Sequence, residues 1–189
     1  ADGRLSVFNV LRDWVAKQPE EIALSNVCDV LARTSPVHRQ LTLPGPTGER
    51  NTYTLLPREG ILSLSHDRGD LLFQLAIVLA VDSRALWFDS AFTRTLHAEL
   101  PADVQARIRL VEDERAGVFD AALIQADEAA VRAWTHRLAQ RTGPIVSLQA
   151  ADKGVREAGA FSLELLVIER SVSINTAAAG GNASLMTIG

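Results

Sequence analysis

From Leu71 to Val81 the chain reads LLFQLAIVLAV, bounded by Asp70 and Asp82. Wound into a helix, these residues leave no polar face of useful width, so a helix over 70–81 must be covered on every side. The run is far shorter than the roughly 20 apolar residues that cross a bilayer, so it is a core helix and not a membrane span. A covered helix needs a layer on each flank. Residues 60–65, 84–88, 108–111, 120–124 and 145–148 read as short apolar strands, and residues 90–100, 101–108 and 126–141 as helices, the last closed by Gly143-Pro144. Short apolar strands alternating with helices predict an α/β, Rossmann-like fold: a mostly parallel sheet with helices on both faces.

Upstream, apolar residues recur at helical spacing at Leu5, Phe8, Leu11 and Val15 with Trp14 beside them, until Pro19 ends the run. A second helix over 20–33 carries Ile22, Val27, Val30 and Leu31 on one stripe. Residues 34–51 hold Pro36, Pro44, Gly45, Pro46 and Gly48 and read as a turn-rich boundary, with a strand at 52–56 beyond it. Residues 150–160 are polar and glycine-bearing and read as a linker or loop. The expected organisation is a helical and turn-rich segment over 1–50, an α/β domain over 51–160, and a C-terminal strand and tail over 161–189.

Composition removes several classes of function. At 189 residues, 47 % hydrophobic and 22 % charged, the chain has ordinary globular composition. A net charge of -4 provides no footprint for nucleic acid, which draws on clustered Lys and Arg. The single cysteine, Cys28, excludes an internal disulfide and any multi-Cys zinc site and points to a reducing, cytoplasmic compartment. It lies on the apolar side of a predicted helix, where a thiol is a small buried hydrophobe. The opening Ala1-Asp2-Gly3 lacks both Met and a leader pattern, so the chain reads as a fragment of something longer.

Candidate chemistry is sparse. The strand-to-helix junction at 64–70 sits where a doubly wound domain binds a dinucleotide, but Asp67 and Asp70 put negative charge in the phosphate position, and Asp70 reads as a helix N-cap. Ser65-His66-Asp67 cannot act as a triad, because adjacent residues point apart. His38, His66, His97 and His136 are scattered without metal-ligand spacing. Trp14, Trp87 and Trp134 read as core or interface residues, and Arg132, Arg137 and Arg141 as a solvated helix face.

The end of the chain is different. Residues 163–174 form a long predicted strand with Leu166, Ile168, Val172 and Ile174 on one pleat face, while the other passes from Leu165 and Val167 to Glu169, Ser171 and Ser173. Such a strand needs a covering partner. Its docking residues are expected to be Leu163, Leu165, Leu166, Val167, Ile168, Val172 and Ile174. A small-residue tail follows, in which Leu185, Met186 and Ile188 could anchor an otherwise solvent-seeking segment.

The run LELLVIERSVSIN at 163–175, continued through 176–189, resembles the C-terminal signature of the long forms of bacterial proline utilization A, and GPTGERN at 45–51 and residues 73–88 fit the same resemblance. That family joins an FAD-dependent proline dehydrogenase to an NAD-dependent glutamate semialdehyde dehydrogenase. Its longer members add a C-terminal domain of the aldehyde dehydrogenase superfamily. The α/β middle likewise resembles the nucleotide-binding half of an aldehyde dehydrogenase, with departures. Phe88 and Asp89 stand where a lysine and proline serve the cofactor ribose. Ile124-Gln125-Ala126-Asp127 replaces a Phe-Thr-Gly-Ser stretch, and Ala150-Ala151-Asp152-Lys153-Gly154 stands in the loop of the general-base glutamate with no cysteine after it.

The resemblance therefore implies a degenerate, noncatalytic domain holding no cofactor itself, within a parent that uses FAD and NAD to oxidise proline to glutamate. It implies docking on the upstream dehydrogenase domain. It also implies a lid over the substrate-channelling cavity made of Asn175, Thr176, Ala177, Ala178, Ala179, Gly180, Gly181, Asn182, Ala183, Ser184, Leu185 and Met186. The rival readings are a residual NAD-binding module near residues 66–70 and an oligomerisation module. The parent is expected in the cytoplasm, or peripheral at the inner membrane face.

Overall fold

The computed structural model describes residues 5–175. Helices α1 (Ser6–Val15) and α2 (Ile22–Thr34), joined through a 3-10 turn at Pro19–Glu21, precede strands β1 (Gln40–Leu43), β2 (Glu49–Pro57) and β3 (Ile61–Leu64). Then come α3 (Arg68–Ala80), β4 (Ala85–Phe88), α4 (Ala91–Glu99), α5 (Ala102–Gln105), β5 (Ile108–Val111), β6 (Ala121–Gln125), α6 (Glu128–Ala139) and β7 (Ser147–Ala151). A 3-10 turn at Glu164–Leu166 leads into β8 (Val167–Asn175).

Five strands form a wholly parallel sheet in the order β5-β4-β3-β6-β7. Alternation along each strand divides the interior into two layers. Ile61, Ala85, Trp87, Ala121 and Leu123 face α3, which α1 and α2 cover from outside. Leu62, Leu64, Leu86, Ala122 and Ile124 face the opposite way, toward Leu138, Val131 and Trp134 of α6. Every residue of α3 from Asp70 to Ala80 is buried, as its uniformly apolar sequence requires. The Rossmann-like α/β architecture is present, with helices on both faces.

A second sheet is antiparallel, in the order β1-β2-β8. Sequence pattern predicts neither β1 nor this pairing. Its four residues, Gln40-Leu41-Thr42-Leu43, are all exposed and make too short a run to stand out amid the prolines at 36 and 44. Strand β2 pairs along its full length with β8, from Glu49 with Asn175 to Pro57 with Val167, and not with the parallel sheet that follows it. The expected boundary between residues 50 and 51 thus falls inside a strand. Gly48, at φ 86°, supplies the left-handed turn that returns β1 into β2.

The terminal strand also starts later than predicted. Leu163, Leu166 and Val167 are buried in this chain's own core, at 6 %, 0 % and 4 % exposure, beside the stacked rings of Phe73 and Phe161. Those three expected docking residues are therefore already committed. Leu165, Ile168 and Ile174 are exposed and Val172 is half-buried. Of the expected lid, Asn175 ends β8, whereas Thr176 to Met186 lie outside the described residues.

Truncating Leu75, fully buried on α3, to alanine is expected to cost about 2–5 kcal/mol through lost burial and the cavity left behind. Leu165→Ala, at an exposed position, should stay within about 0.5 kcal/mol. Urea denaturation followed by circular dichroism measures both.

Candidate functional site

Strand order reverses between β3 and β6, and a cleft of about 530 Å³ opens there at the carboxyl ends of the strands, where open α/β sheets bind ligands. Its lining includes Ser65, His66, Asp67, Asp70, Phe88, Gln125, Trp134 and Lys153. Asp67 is the N-cap of α3, its carboxylate accepting the Asp70 backbone N–H at 3.0 Å. This corrects the expectation that Asp70 caps the helix.

Asp70 is instead 1 % exposed and ion-paired. Arg156 donates from Nε to Asp70 Oδ1 at 2.8 Å and from Nη2 to Asp67 Oδ1 at 2.5 Å. The Gln125 amide donates both to Asp70 Oδ1 at 3.3 Å and to the Val155 carbonyl at 2.6 Å, and its own oxygen accepts from Gln74 at 3.2 Å. A carboxylate this deep requires a cation and hydrogen bonds to remain charged. The segment expected to be a linker or loop provides the cation. Its guanidinium lies so close over Gly69 that a Cβ there would overlap it.

This end of the cleft carries two carboxylates, Asp67 and Asp70, where a dinucleotide would place its pyrophosphate. A pyrophosphate needs bare amides at the helix N-terminus. Here the Asp70 N–H is taken by the Asp67 carboxylate, and the Arg156 guanidinium beside it is paired with both aspartates. On the other wall Phe88 stacks on Trp134, ring centres 5.7 Å apart, and Asp89 accepts two hydrogen bonds from Arg94 at 2.6 and 2.7 Å, which hold its carboxyl below the usual range. Ser65, His66 and Asp67 form no relay: the Ser65 hydroxyl accepts from the Asp67 amide, and Asp67 is engaged by Arg156.

The arginine face on α6 is structural as well as solvated. Arg132 is solvated, as expected, and pairs with the exposed Glu128. Arg137 grips buried Glu114 through two bonds of 2.7 and 2.6 Å, lowering that carboxyl's pKa, and lies 4.7 Å from the Trp134 ring centre. Arg141 covers Phe119 at 3.9 Å. Both hold the β5–β6 connection against α6, a role invisible to helical periodicity. Cys28 is wholly buried on α2 and is not among the cleft residues. Burial pushes its thiol from 9.0 up to about 12, with nearby Asp29 adding to the rise and Arg12 opposing it. Among the described residues no group of three or more His, Cys, Asp or Glu is placed to hold a metal, and no helix is long and apolar enough to cross a membrane.

The projecting β1-β2-β8 sheet gathers the remaining expected docking residues. Ile168, Val172 and Ile174 share one face with Leu56, Thr52 and Arg50, their partners in register. Leu41 and Leu43 lie on the other face, with Tyr53 and Asn51 opposite them. There the Tyr53 hydroxyl is bonded to Glu169, which raises its pKa, and the Ser173 hydroxyl donates to Glu49.

A reversed strand order with an open switch-point cleft defines the chain as a doubly wound, Rossmann-like α/β domain. An aldehyde dehydrogenase from Brucella melitensis biovar abortus 2308 superposes on 78 % of this chain and 38 % of its own, with a TM-score of 0.51 at 12 % identity, a likeness of fold alone. A solved proline utilization A (PutA) superposes on 80 % of the chain and 19 % of its own, with a TM-score of 0.60 at 19 % identity. No family model matches the sequence. Sequence similarity is much stronger: the bifunctional protein PutA of Salmonella typhimurium is 49 % identical over 187 residues, 98 % of this chain, and that of Rhizobium meliloti 41 % over 159 residues, 82 % of it. The chain belongs to the PutA family, as a C-terminal domain, and spans 13 to 14 % of the length of these curated relatives.

Replacing Arg156 by alanine is expected to destabilise the domain by about 3–5 kcal/mol, because it leaves Asp70 buried without its cation. Adding Asp70→Asn should restore part of the loss, and urea titration of the single and double variants reads the coupling. The Cys28 thiol should resist a disulfide-exchange reagent at pH 8 in the folded chain and react promptly in urea. Because its folded pKa is raised, its contribution to stability is complete below about pH 9 and is lost as pH rises toward about 12.

Proposed function

We propose that this domain performs no dehydrogenase chemistry of its own. In the longer polypeptide it braces the aldehyde dehydrogenase domain through the β8 side, and residues 175–186 close the cavity through which pyrroline-5-carboxylate, as glutamate semialdehyde, passes between the two active sites. The observation that carries this reading is Arg156, ion-paired to Asp67 and Asp70 at the N-terminus of α3, where a bound nucleotide would place its phosphates. Phe88 and Asp89 in place of a cofactor-binding lysine and proline support it. So does the burial of Cys28 away from the cleft. FAD and NAD then belong to the other domains of the parent, which oxidises proline to glutamate in two steps.

The tail's composition suits a lid. Ala177 to Gly181 carry no side chain larger than a methyl group, so their backbone can lie flat across an opening without intruding, and Leu185 and Met186 can anchor the far end. A sealed cavity keeps the intermediate near the second active site instead of diluting it into solvent.

Deleting residues 177–189 from the intact protein should leave each half-reaction within about twofold of normal while introducing a lag in NADH formation from proline. The lag is the time the intermediate needs to accumulate in bulk solution. A coupled trace that starts without one, measured by absorbance at 340 nm, would defeat the lid. Titrating the intact protein and a form lacking this domain with NAD should give equal stoichiometry, and an extra site lost with the domain would revive the nucleotide-binding reading.

A further inference from the structure

The two faces of the β1-β2-β8 sheet carry opposite charge and differ in whether that charge is satisfied. Glu169 and Glu49 lie on the face where each has a hydroxyl partner, Tyr53 and Ser173. Arg50 and Arg170 lie on the opposite face, exposed, and neither side chain has a hydrogen bond or ion pair among the described residues. Along β8 that face alternates apolar and cationic groups, Ile168, Arg170, Val172 and Ile174, with Arg50 in register opposite Ile174. Ile168 and Ile174 are 41 % and 43 % exposed. Two unpaired guanidiniums beside exposed branched aliphatics suit a surface that offers carboxylates next to aliphatic side chains.

We infer that the Arg50/Arg170 face docks on an acidic, aliphatic-lined surface in the part of the PutA polypeptide outside residues 1–189. This rests on the bracing role proposed above and adds the chemistry of the partner and the face that meets it. Size favours a tethered partner over a second copy. Two strands of nine residues and one of four make a face of roughly 350 Å², under half of the roughly 800 Å² that each partner buries in a stable free complex. Covalent connection makes such a face sufficient, because a linked partner is present at millimolar effective concentration. The relatives have the necessary chain, since this sequence spans only 14 % of the Salmonella protein.

Hydrogen exchange on the intact protein tests the proposal. Peptides from β2 and β8 should be protected in the natural protein and exchange at least tenfold faster in Arg50→Glu/Arg170→Glu, with α3 peptides unchanged as an internal control. Glu49→Lys/Glu169→Lys, which alters the opposite face, should leave that protection in place. Arg50→Lys/Arg170→Lys should keep protection, and treatment with a carbodiimide should couple the introduced amines to Asp or Glu beyond residues 1–189 of the same polypeptide. Unchanged exchange in the charge-reversed protein overturns the inference, as do crosslinks confined to residues 1–189 or formed between two copies. If charge reversal also unprotects α3, the crosslinks decide. Exchange reads docking whereas the coupled assay reads sealing, so failure of this inference is distinguishable from failure of the lid.

Discussion

Eleven consecutive residues of α3, Asp70 to Ala80, are buried, and the rest of the domain is arranged to make that possible. A helix without a solvent face must be packed between two layers. The parallel sheet is one layer and α1 with α2 the other, which is why a Rossmann-like unit here has two additional helices against its first crossover. Phe8, Leu11 and Val15 of α1 and Leu24, Cys28 and Leu31 of α2 share one cluster with α3, so the N-terminal helices are part of the same core.

Full burial extends to the polar residues of α3. Asp70 and Gln74 cannot reach solvent, so their partners come from β6 through Gln125 and from the segment after β7 through Arg156. The same packing that closes the core thereby closes one end of the switch-point cleft. A dehydrogenase of this fold leaves the helix N-terminus available to phosphate; this chain places an ion-paired arginine there. The rearrangement ties residues 152–160, and the path into β8, to the start of α3. The sheet that β8 completes touches the core through Leu55 and Val167 and leaves most of β1 and β8 exposed.

Much of this was legible locally. Helical spacing identified α1 and α2, the apolar run identified α3, and short apolar strands between helices identified the parallel sheet. The inert character of Cys28 followed from its place on an apolar stripe. What escaped was whatever depended on a remote partner. Strand β1 is four exposed residues between prolines, and its single polar-apolar repeat is too short to mark a strand. Leu163, Leu166 and Val167 read as a sticky strand because their apolar character was visible, whereas the cavity beside Phe73 and Phe161 that receives them was not. Arg156 sat unremarked in a polar, glycine-bearing stretch, 86 residues from the aspartate it neutralises.

Periodicity, charge and turn chemistry act over a few residues along the chain, so they decide which segments become helix or strand and which faces seek cover. From them came the class of fold, the reading of residues 70–81 as a core helix and, through the terminal motif, the resemblance to PutA. Pairing and burial act across space. Only the folded arrangement decided that β2 joins β8 instead of β3, that Asp67 and not Asp70 caps α3, and that Arg156 stands at the helix N-terminus. It also decided which apolar residues near the end of the chain belong to its own core and which remain for a partner, because no local pattern encodes the distance between segments a hundred residues apart.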